Sequence, residues 1–258
     1  MIQTIQPQSE KFDGLADDYD RYRPRYPLPL FKTMLLPFKD KKHLSIVDVG
    51  AGTGIALEGI VKLLGNEHQY YAIDISADMI KQGQRKFPFV QWYHEKAESL
   101  LPQIGKVDLV VAAQAFQWMD RPLLLSTVSS QLRAGGVMAV IQNNRDFQNN
   151  QFLAAYEALL EEMSPHYSRY YRNFDFLQEM RDGLGVNSEK IALHTHNWTM
   201  TIPSEAFMGM SRSSTQAQRA IAKHGEEYWQ ELIALIKQYE MQKSLELLYR
   251  SELYIYTK

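Results

Sequence analysis

The sequence contains no cysteine among its 258 residues. That absence removes disulfides, thiolate metal sites and a cysteine nucleophile, and it fits a cytoplasmic protein. Excess charge is missing too: 28 lysines and arginines stand against 30 acidic residues, for a formal net charge of −2. Such a balance offers no electrostatic footprint for nucleic acid or for an anionic membrane. No stretch approaches the roughly 18 apolar residues that a membrane span requires. The opening MIQTIQPQSEKFDG lacks the charged start and apolar run of a secretory signal. Repeats, low-complexity tracts and clear linkers are also absent, so one domain over 1–258 is the simplest organisation. Its 45% of hydrophobic residues suffice for a large core without disulfides or metal.

What the chain does hold is an alternation. LSIVDVG (44–50), YYAIDIS (70–76), VQWYHEKA (90–97), VDLVVAAQAF (107–116) and VMAVIQNN (137–144) read as strands. Between them IALEGIVKLLG (55–65), SADMIKQGQRKF (76–87, capped by Ser76) and RPLLLSTVSSQLRAGG (121–136, closed by glycines) read as helices. The pattern predicts a parallel sheet with helices on both faces and ligands beyond the carboxyl ends of the strands. After residue 145 the texture changes. Residues 148–182 read as helical and then dense in Tyr, Phe, Arg and His, 190–202 as a strand and 203–214 as a short helix and loop. Residues 226–246 read as a long amphipathic helix and 248–258 as a terminal strand.

Gly50, Gly52 and Gly54 follow the first strand and open a helix, where glycine allows a tight turn and close approach of a ligand. No lysine follows Gly54, which removes a phosphate-binding P-loop. The dinucleotide pattern G-x-G-x-x-G/A, started at Gly50, ends on bulky Ile55. Asp48-Val49-Gly50-Ala51-Gly52-Thr53-Gly54 fits instead the D-x-G-x-G-x-G loop used for S-adenosylmethionine. Asp74 ends the second strand, where a carboxylate accepts two hydrogen bonds from ribose hydroxyls; capping the next helix is the competing role. Met79 or Ile80 in DISADMI is placed to wall an adenine.

Together these segments resemble the class I S-adenosylmethionine-dependent methyltransferases, and within them the small-molecule branch related to trans-aconitate methyltransferases. The likeness rests on FDGLADDYDRYRPRYP (12–27), VDVGAGTG, AIDISADMI, EKAESL (95–100), AQAFQWMD (113–120) and LRAGGVMAVIQNNRD (132–146). It implies a doubly wound, Rossmann-like α/β fold: a mostly parallel seven-stranded sheet, an antiparallel last strand and an inserted helical, aromatic lid. It further implies a cofactor-covering segment over 1–43, a cofactor-binding core over 44–144, an acceptor lid with the sixth strand over 145–215, and a final helix and strand over 216–258. Two positions depart from the family pattern. Gln117 stands where a histidine is usual before Trp118, and Lys96 where an acid often precedes Ala97.

By the resemblance, Tyr19, Arg23, Asp48, Gly50, Ala51, Gly52, Gly54, Asp74, Ile75, Met79, Ala97, Glu98 and Gln114 are the expected cofactor ligands, with Arg23 on the methionyl carboxylate. Tyr26, Phe116, Trp118, Tyr170 and Arg212 are the expected acceptor contacts, against core packing or plain surface exposure as the simpler roles. His166, in the aromatic stretch SPHYSRYY, is the candidate general base. His194 and His196 alternate on one strand face, but no third ligand accompanies them and no metal is expected. The expected chemistry is in-line methyl transfer from S-adenosyl-L-methionine, leaving S-adenosyl-L-homocysteine, to a small carboxylate, phenol or ring nitrogen. A monomer or weak homodimer is the expected state. A nicotinamide-dependent oxidoreductase and a non-catalytic cofactor-binding module are the alternatives.

Overall fold

The apolar runs become strands β1 (Ser45–Val49), β2 (Gln69–Asp74), β3 (Gln91–His94), β4 (Val107–Ala113) and β5 (Leu132–Arg145). Two longer strands follow, β6 (Ile191–Pro203) and β7 (Ser244–Thr257). In the computed structural model, which describes residues 14–171 and 173–258, they join one sheet ordered β3-β2-β1-β4-β5-β7-β6. Strands β1 to β5 are parallel, and β7 is antiparallel to both β5 and β6. This is the doubly wound sheet with an antiparallel last strand that the resemblance implied. Phe12 and Asp13 of the N-terminal signature lie outside the described residues.

Helices coat both faces because the strands alternate their apolar side chains between two cores. Val47 and Val49 of β1, with Met138 and Val140 of β5, face α5 (Ala97–Ile104), α6 (Arg121–Gln131) and α8 (Phe176–Leu184). Ile46, Val137, Ala139 and Ile141 face α2 (Leu28–Leu35) and α3 (Ile55–Leu64) on the other side. A third core joins α7 (Gln151–Met163), α9 (Ser204–Arg212), α10 (Thr215–His224) and α11 (Glu226–Tyr239) to the end of β7 through Leu245, Leu247 and Tyr249. These four helices form the inserted layer beside the site. Helices α1 (Ala16–Tyr22) and α4 (Ala77–Lys86) complete the side of the glycine loop. No helix among the described residues is long and apolar enough to cross a membrane.

Several boundaries differ from the sequence reading. The helix expected over 121–136 stops at Gln131, because Leu132 turns extended (ψ 136°) and Gly135 (φ +71°) donates its N–H to the Lys258 carbonyl across the sheet. Its glycines belong to a strand start. The aromatic stretch 148–182 is not one helix: α7 ends at Met163, and α8 begins at Phe176, capped by Asp175. The last long helix ends at Tyr239 rather than 246. Helix α10 has no counterpart in the sequence reading, since TQAQRAIAKH offers only small buried residues, Ala217 and Ala220, as its apolar face.

Candidate active site

The glycine loop is folded against the end of β2. The N–H groups of Gly50 and Ala51 both donate to the Ile73 carbonyl, at 2.8 and 3.1 Å. Gly50 has φ +67°, and a β-carbon there would come within 2.4 Å of the Ala115 β-carbon, so only glycine serves. At Gly52 (φ +55°) a β-carbon would meet nothing within 4 Å, so the loop backbone is bare on the side where a ligand approaches. The Gly52 N–H donates to Asp74 Oδ2 at 2.7 Å, and Ser76 N–H donates to Asp74 Oδ1 at 2.9 Å. Asp74 thus ties the loop to the start of α4, where Ser76 is the N-cap, accepting from Met79 N–H. Asp74 is therefore not itself the cap of α4: that residue is Ser76, and the Asp74 oxygens accept the Gly52 and Ser76 N–H groups.

Beneath the loop lies Asp48, 1% exposed, with neither carboxylate oxygen hydrogen-bonded. Burial, and then the neighbouring Asp74 charge, push its carboxyl well above the usual carboxylate range. Asp74 is raised as well, by burial first, against the lowering effect of its backbone N–H donors. Two acids whose charge is resisted face one space, and that space favours a cation.

The space is a cavity of about 650 Å³, within the rough range of 300–1,000 Å³ that small-ligand sites occupy. Tyr19, Asp48, Gly50, Ala51, Gly52, Asp74, Ile75, Met79, Ala97, Glu98 and Gln114 line it, together with Tyr26 and Trp118. A smaller cavity of about 70 Å³ adjoins it, and Tyr19, Tyr26, Ile55, Gln114 and Trp118 line both. Arg23 lines only the smaller one, its Nη2 donating to the Ser213 carbonyl at 3.0 Å and its guanidinium stacked on the Tyr19 ring.

Five other residues singled out in the sequence lie off these walls. Gly54 (φ +80°) is the N-cap of α3 and abuts Phe87 and Trp92, so it serves packing. Phe116 is fully buried, edge-on to Phe176 in the core. Tyr170 is 54% exposed and packs its ring against Phe147. Arg212 is paired with Asp18 at 2.6 Å, which fastens α9 to α1. His166 is exposed in the turn after α7, with φ +58°, and lines neither cavity. The turn carries it outward because Tyr167 is drawn inward, its hydroxyl donating to buried Glu157.

The structure also adds residues. Ile55, the bulky residue that spoke against a dinucleotide, stands at the junction of the two cavities. Glu98 accepts the Asp120 N–H at 2.7 Å and holds the loop after β4. Met119 and Leu123 extend the apolar wall beside Met79; the motif AQAFQWMD contained Met119, but nothing in the pattern marked it. Gln114 is held by both ends. It has φ +56°, a left-handed conformation that costs a side-chain-bearing residue energy. Its Nε2 donates to the Asn143 carbonyl at 2.9 Å and its carbonyl accepts from Gln117 Nε2 at 3.0 Å. Gln117, in the place of the usual histidine, also accepts from Gln142 Nε2 at 3.1 Å. It positions Gln114 and has no free group for proton transfer.

The relatives agree with this geometry. Residues 46–136 match the methyltransferase domain family. Malonyl-[acyl-carrier protein] O-methyltransferase 1 of Ilyobacter polytropus is 28% identical over 188 residues, 71% of this chain and 67% of that one. The chain spans about half the length of other curated relatives, such as an uncharacterised methyltransferase-like protein of Schizosaccharomyces pombe. Among solved structures, a methyltransferase-fold protein of Anaeromyxobacter dehalogenans superposes with a TM-score of 0.65 at 20% identity, over 92% of this chain and 98% of that one. An S-adenosylmethionine-dependent methyltransferase of Thiobacillus denitrificans, solved with S-adenosyl-L-homocysteine, superposes with a TM-score of 0.54 at 14% identity, over 95% and 97%. The bare glycine backbone, the acids facing the cavity and its volume suit an adenosine that carries a cationic amino-acid tail. Residues 46–136 thus match a methyltransferase domain, and the fold around them is that of the class I methyltransferases, whose cofactor is S-adenosylmethionine.

Proposed function

We propose that the protein methylates a small-molecule acceptor, and that it does so by holding the acceptor and S-adenosylmethionine in line. The observation that carries this reading is the junction, where five side chains wall a cofactor-sized cavity and a small second cavity together. When bound, the cofactor supplies a methyl group on a positively charged sulfur, which needs no further activation. The chain's own work is then positional. Asp74 accepts from the ribose hydroxyls, Ile75, Met79 and Ala97 flank the adenine, and Asp48 faces the methionyl ammonium. Tyr19, Tyr26 and Trp118 exclude water where the two ligands meet.

Among the described residues, no aspartate, glutamate or histidine lines the smaller cavity. An acceptor that must lose a proton finds no base there, and His166 stands on the outer surface. This supports an acceptor that is already nucleophilic. The name of the Ilyobacter relative, an O-methyltransferase acting on a malonyl group, supports an oxygen acceptor.

The test is calorimetric titration with S-adenosyl-L-homocysteine, the product expected to compete for the cavity. Saturable binding at one site per chain is the expected result, with no fluorescence response to NADH. Absence of any binding to the wild-type chain refutes the reading.

A further inference from the structure

Strands β1, β4 and β5 begin at the end of the sheet opposite the cofactor cavity. The run LPFKDKKH (36–43) enters β1 there. Phe38 is fully buried and Leu35 nearly so, which fixes the short 3₁₀ turn Leu36–Phe38 against the core. Leu36 is thereby turned outward and is 69% exposed. Lys39, Asp40, Lys41, Lys42 and His43 follow it, all exposed.

Other segments bring further cations to the same end. Lys41 Nζ lies 3.8 Å from where a β-carbon on Gly135 would stand, and the Gly135 N–H donates to the Lys258 carbonyl. Lys258 and Lys106 donate to the Ser129 and Ser130 carbonyls at the end of α6, at 2.5 Å each. Arg133 pairs with Asp108, which also accepts the Ser45 N–H, so this pair is neutral. Among the described residues, no carboxylate pairs with Lys39, Lys41, Lys42, Lys106 or Lys258. Asp40 stands within the patch, and Glu67 beside it, next to His68, whose Nδ1 accepts the Leu44 N–H. Five unpaired lysines thus face two acids. The net charge of −2 conceals this excess, because acids elsewhere, such as Glu226 and Glu227 of α11, offset it.

A face of this kind attracts a polyanionic surface. The exposed leucine among the lysines decides which one. On a nucleic-acid backbone an apolar side chain gains nothing, whereas at a bilayer it leaves water for the acyl boundary. We infer that this end of the sheet docks on an anionic phospholipid bilayer, with Leu36 entering the acyl boundary and Lys39, Lys41 and Lys42 among the headgroup phosphates. The cofactor cavity opens at the other ends of the same strands, so docking leaves its mouth toward water. No residue of the patch lines either cavity, so the inference stands apart from the methyl-transfer reading.

The experiment is cosedimentation with vesicles of phosphatidylcholine alone, or of phosphatidylcholine with about one-third phosphatidylglycerol. It is run at roughly 0.05 M salt and again at roughly 0.5 M, where screening is severe. Binding to the anionic vesicles at low salt is expected, with loss at high salt and no binding to phosphatidylcholine alone. Each lysine at an anionic bilayer strengthens binding about fivefold. Lys39→Gln, Lys41→Gln and Lys42→Gln combined should therefore weaken it about 100-fold. Leu36→Ser should weaken it about tenfold. Because these positions are exposed and lie off both cavities, the melting temperature and S-adenosyl-L-homocysteine affinity of both variants should match the wild type. No binding of the wild type to anionic vesicles at low salt overturns the proposal. So does binding that the triple variant or Leu36→Ser retains within twofold. Binding to a duplex oligonucleotide without binding to vesicles overturns it too, and assigns the face to nucleic acid. Failure to bind S-adenosyl-L-homocysteine removes the methyl-transfer reading and leaves vesicle binding as expected.

Discussion

Asp48→Asn should make the ligand-free protein more stable and the cofactor site weaker. Asp48 is 1% exposed, neither of its oxygens has a hydrogen-bond partner, and Asp74 repels its charge. Its carboxyl is therefore raised in the folded chain above the unfolded value. The sign follows from proton binding: between the unfolded and folded pKa the native state holds more protons than the unfolded one, so stability falls as pH rises through that window. Above it, the uncompensated charge costs a constant amount. An unsatisfied buried group costs about 1–3 kcal/mol, and a charged one more. The amide removes the charge but not the missing partners, so a relief of about 1–3 kcal/mol at pH 8 is expected. At about 2–4 °C per kcal/mol for a chain of this size, the melting temperature rises by roughly 2–12 °C. As the pH is lowered and the wild-type carboxyl takes up its proton, the difference should shrink. Binding should move the opposite way. A charge-assisted bond from the methionyl ammonium is worth about 1.5–3 kcal/mol, so S-adenosyl-L-homocysteine affinity should fall roughly 10- to 150-fold. Melting curves at pH 8 and at lower pH, with calorimetry, read both signs. A variant less stable than wild type at pH 8, or one that binds with unchanged affinity, refutes the reasoning.

Asp74→Ala removes the proposed acceptor for the ribose hydroxyls and the anchor of the Gly52 and Ser76 N–H groups. At about 1.5–3 kcal/mol per charge-assisted bond, a loss of about 100-fold or more in S-adenosyl-L-homocysteine affinity is expected by calorimetry. Gly50→Ala and Gly52→Ala should separate. Both impose a left-handed residue at about 1–2 kcal/mol, but only the first drives a β-carbon against Ala115. Gly50→Ala should therefore melt well below Gly52→Ala, which stays folded and loses cofactor affinity. Glu157→Ala leaves part-buried Arg145 without its 2.7 Å partner and the Tyr167 hydroxyl without its acceptor. Breaking such a pair costs about 3–5 kcal/mol, a fall of roughly 6–20 °C in melting temperature, with S-adenosyl-L-homocysteine binding unchanged.

The cofactor half of the site was legible because its residues sit at the ends of strands that local pattern identifies. Asp48, Gly50 and Gly52 occupy one turn, Asp74 and Ile75 the next, and Ala97 and Gln114 the two after that. A parallel sheet brings those ends together whatever the rest of the chain does. The smaller cavity was not legible, because it draws Arg23, Gln114, Asn143, Tyr171 and Gln216 from separate segments that meet only in the fold. Asn143 reads in sequence as the tail of a strand, and its side chain is held by Ser251, itself bonded to Trp198, both far along the chain. The aromatic stretch misled for a related reason. Its density suggested a ligand wall, yet Tyr167 and Phe176 serve the interior, and only Tyr171 reaches a cavity. Gln117 was marked in sequence as a departure from the family; what pattern could not show was that both ends of its amide are occupied.

The segment from α1 to Tyr26 supplies wall to both cavities, through Tyr19 and Tyr26, and it also brings Arg23 to the smaller one. How it is held bears on how ligands enter. Of its seven helical residues only Ala16 is buried, so apolar burial contributes little. On the cofactor side Asp20 accepts from Thr53 and Lys86, and Arg25 pairs with Glu58 at 2.8 Å. On the acceptor side Arg212 pairs with Asp18, Arg23 donates to the Ser213 carbonyl, and the Tyr22 ring lies where a β-carbon on Gly209 would stand. Pairs at such part-exposed positions are worth up to about 1 kcal/mol each. Lifting this segment therefore costs less than opening either core beneath it, the rings of Tyr22 and Tyr26 being its main apolar contacts. Because Arg23 rides on the same segment as Tyr19, the cation of the smaller cavity and a wall of the larger one are held by the same contacts.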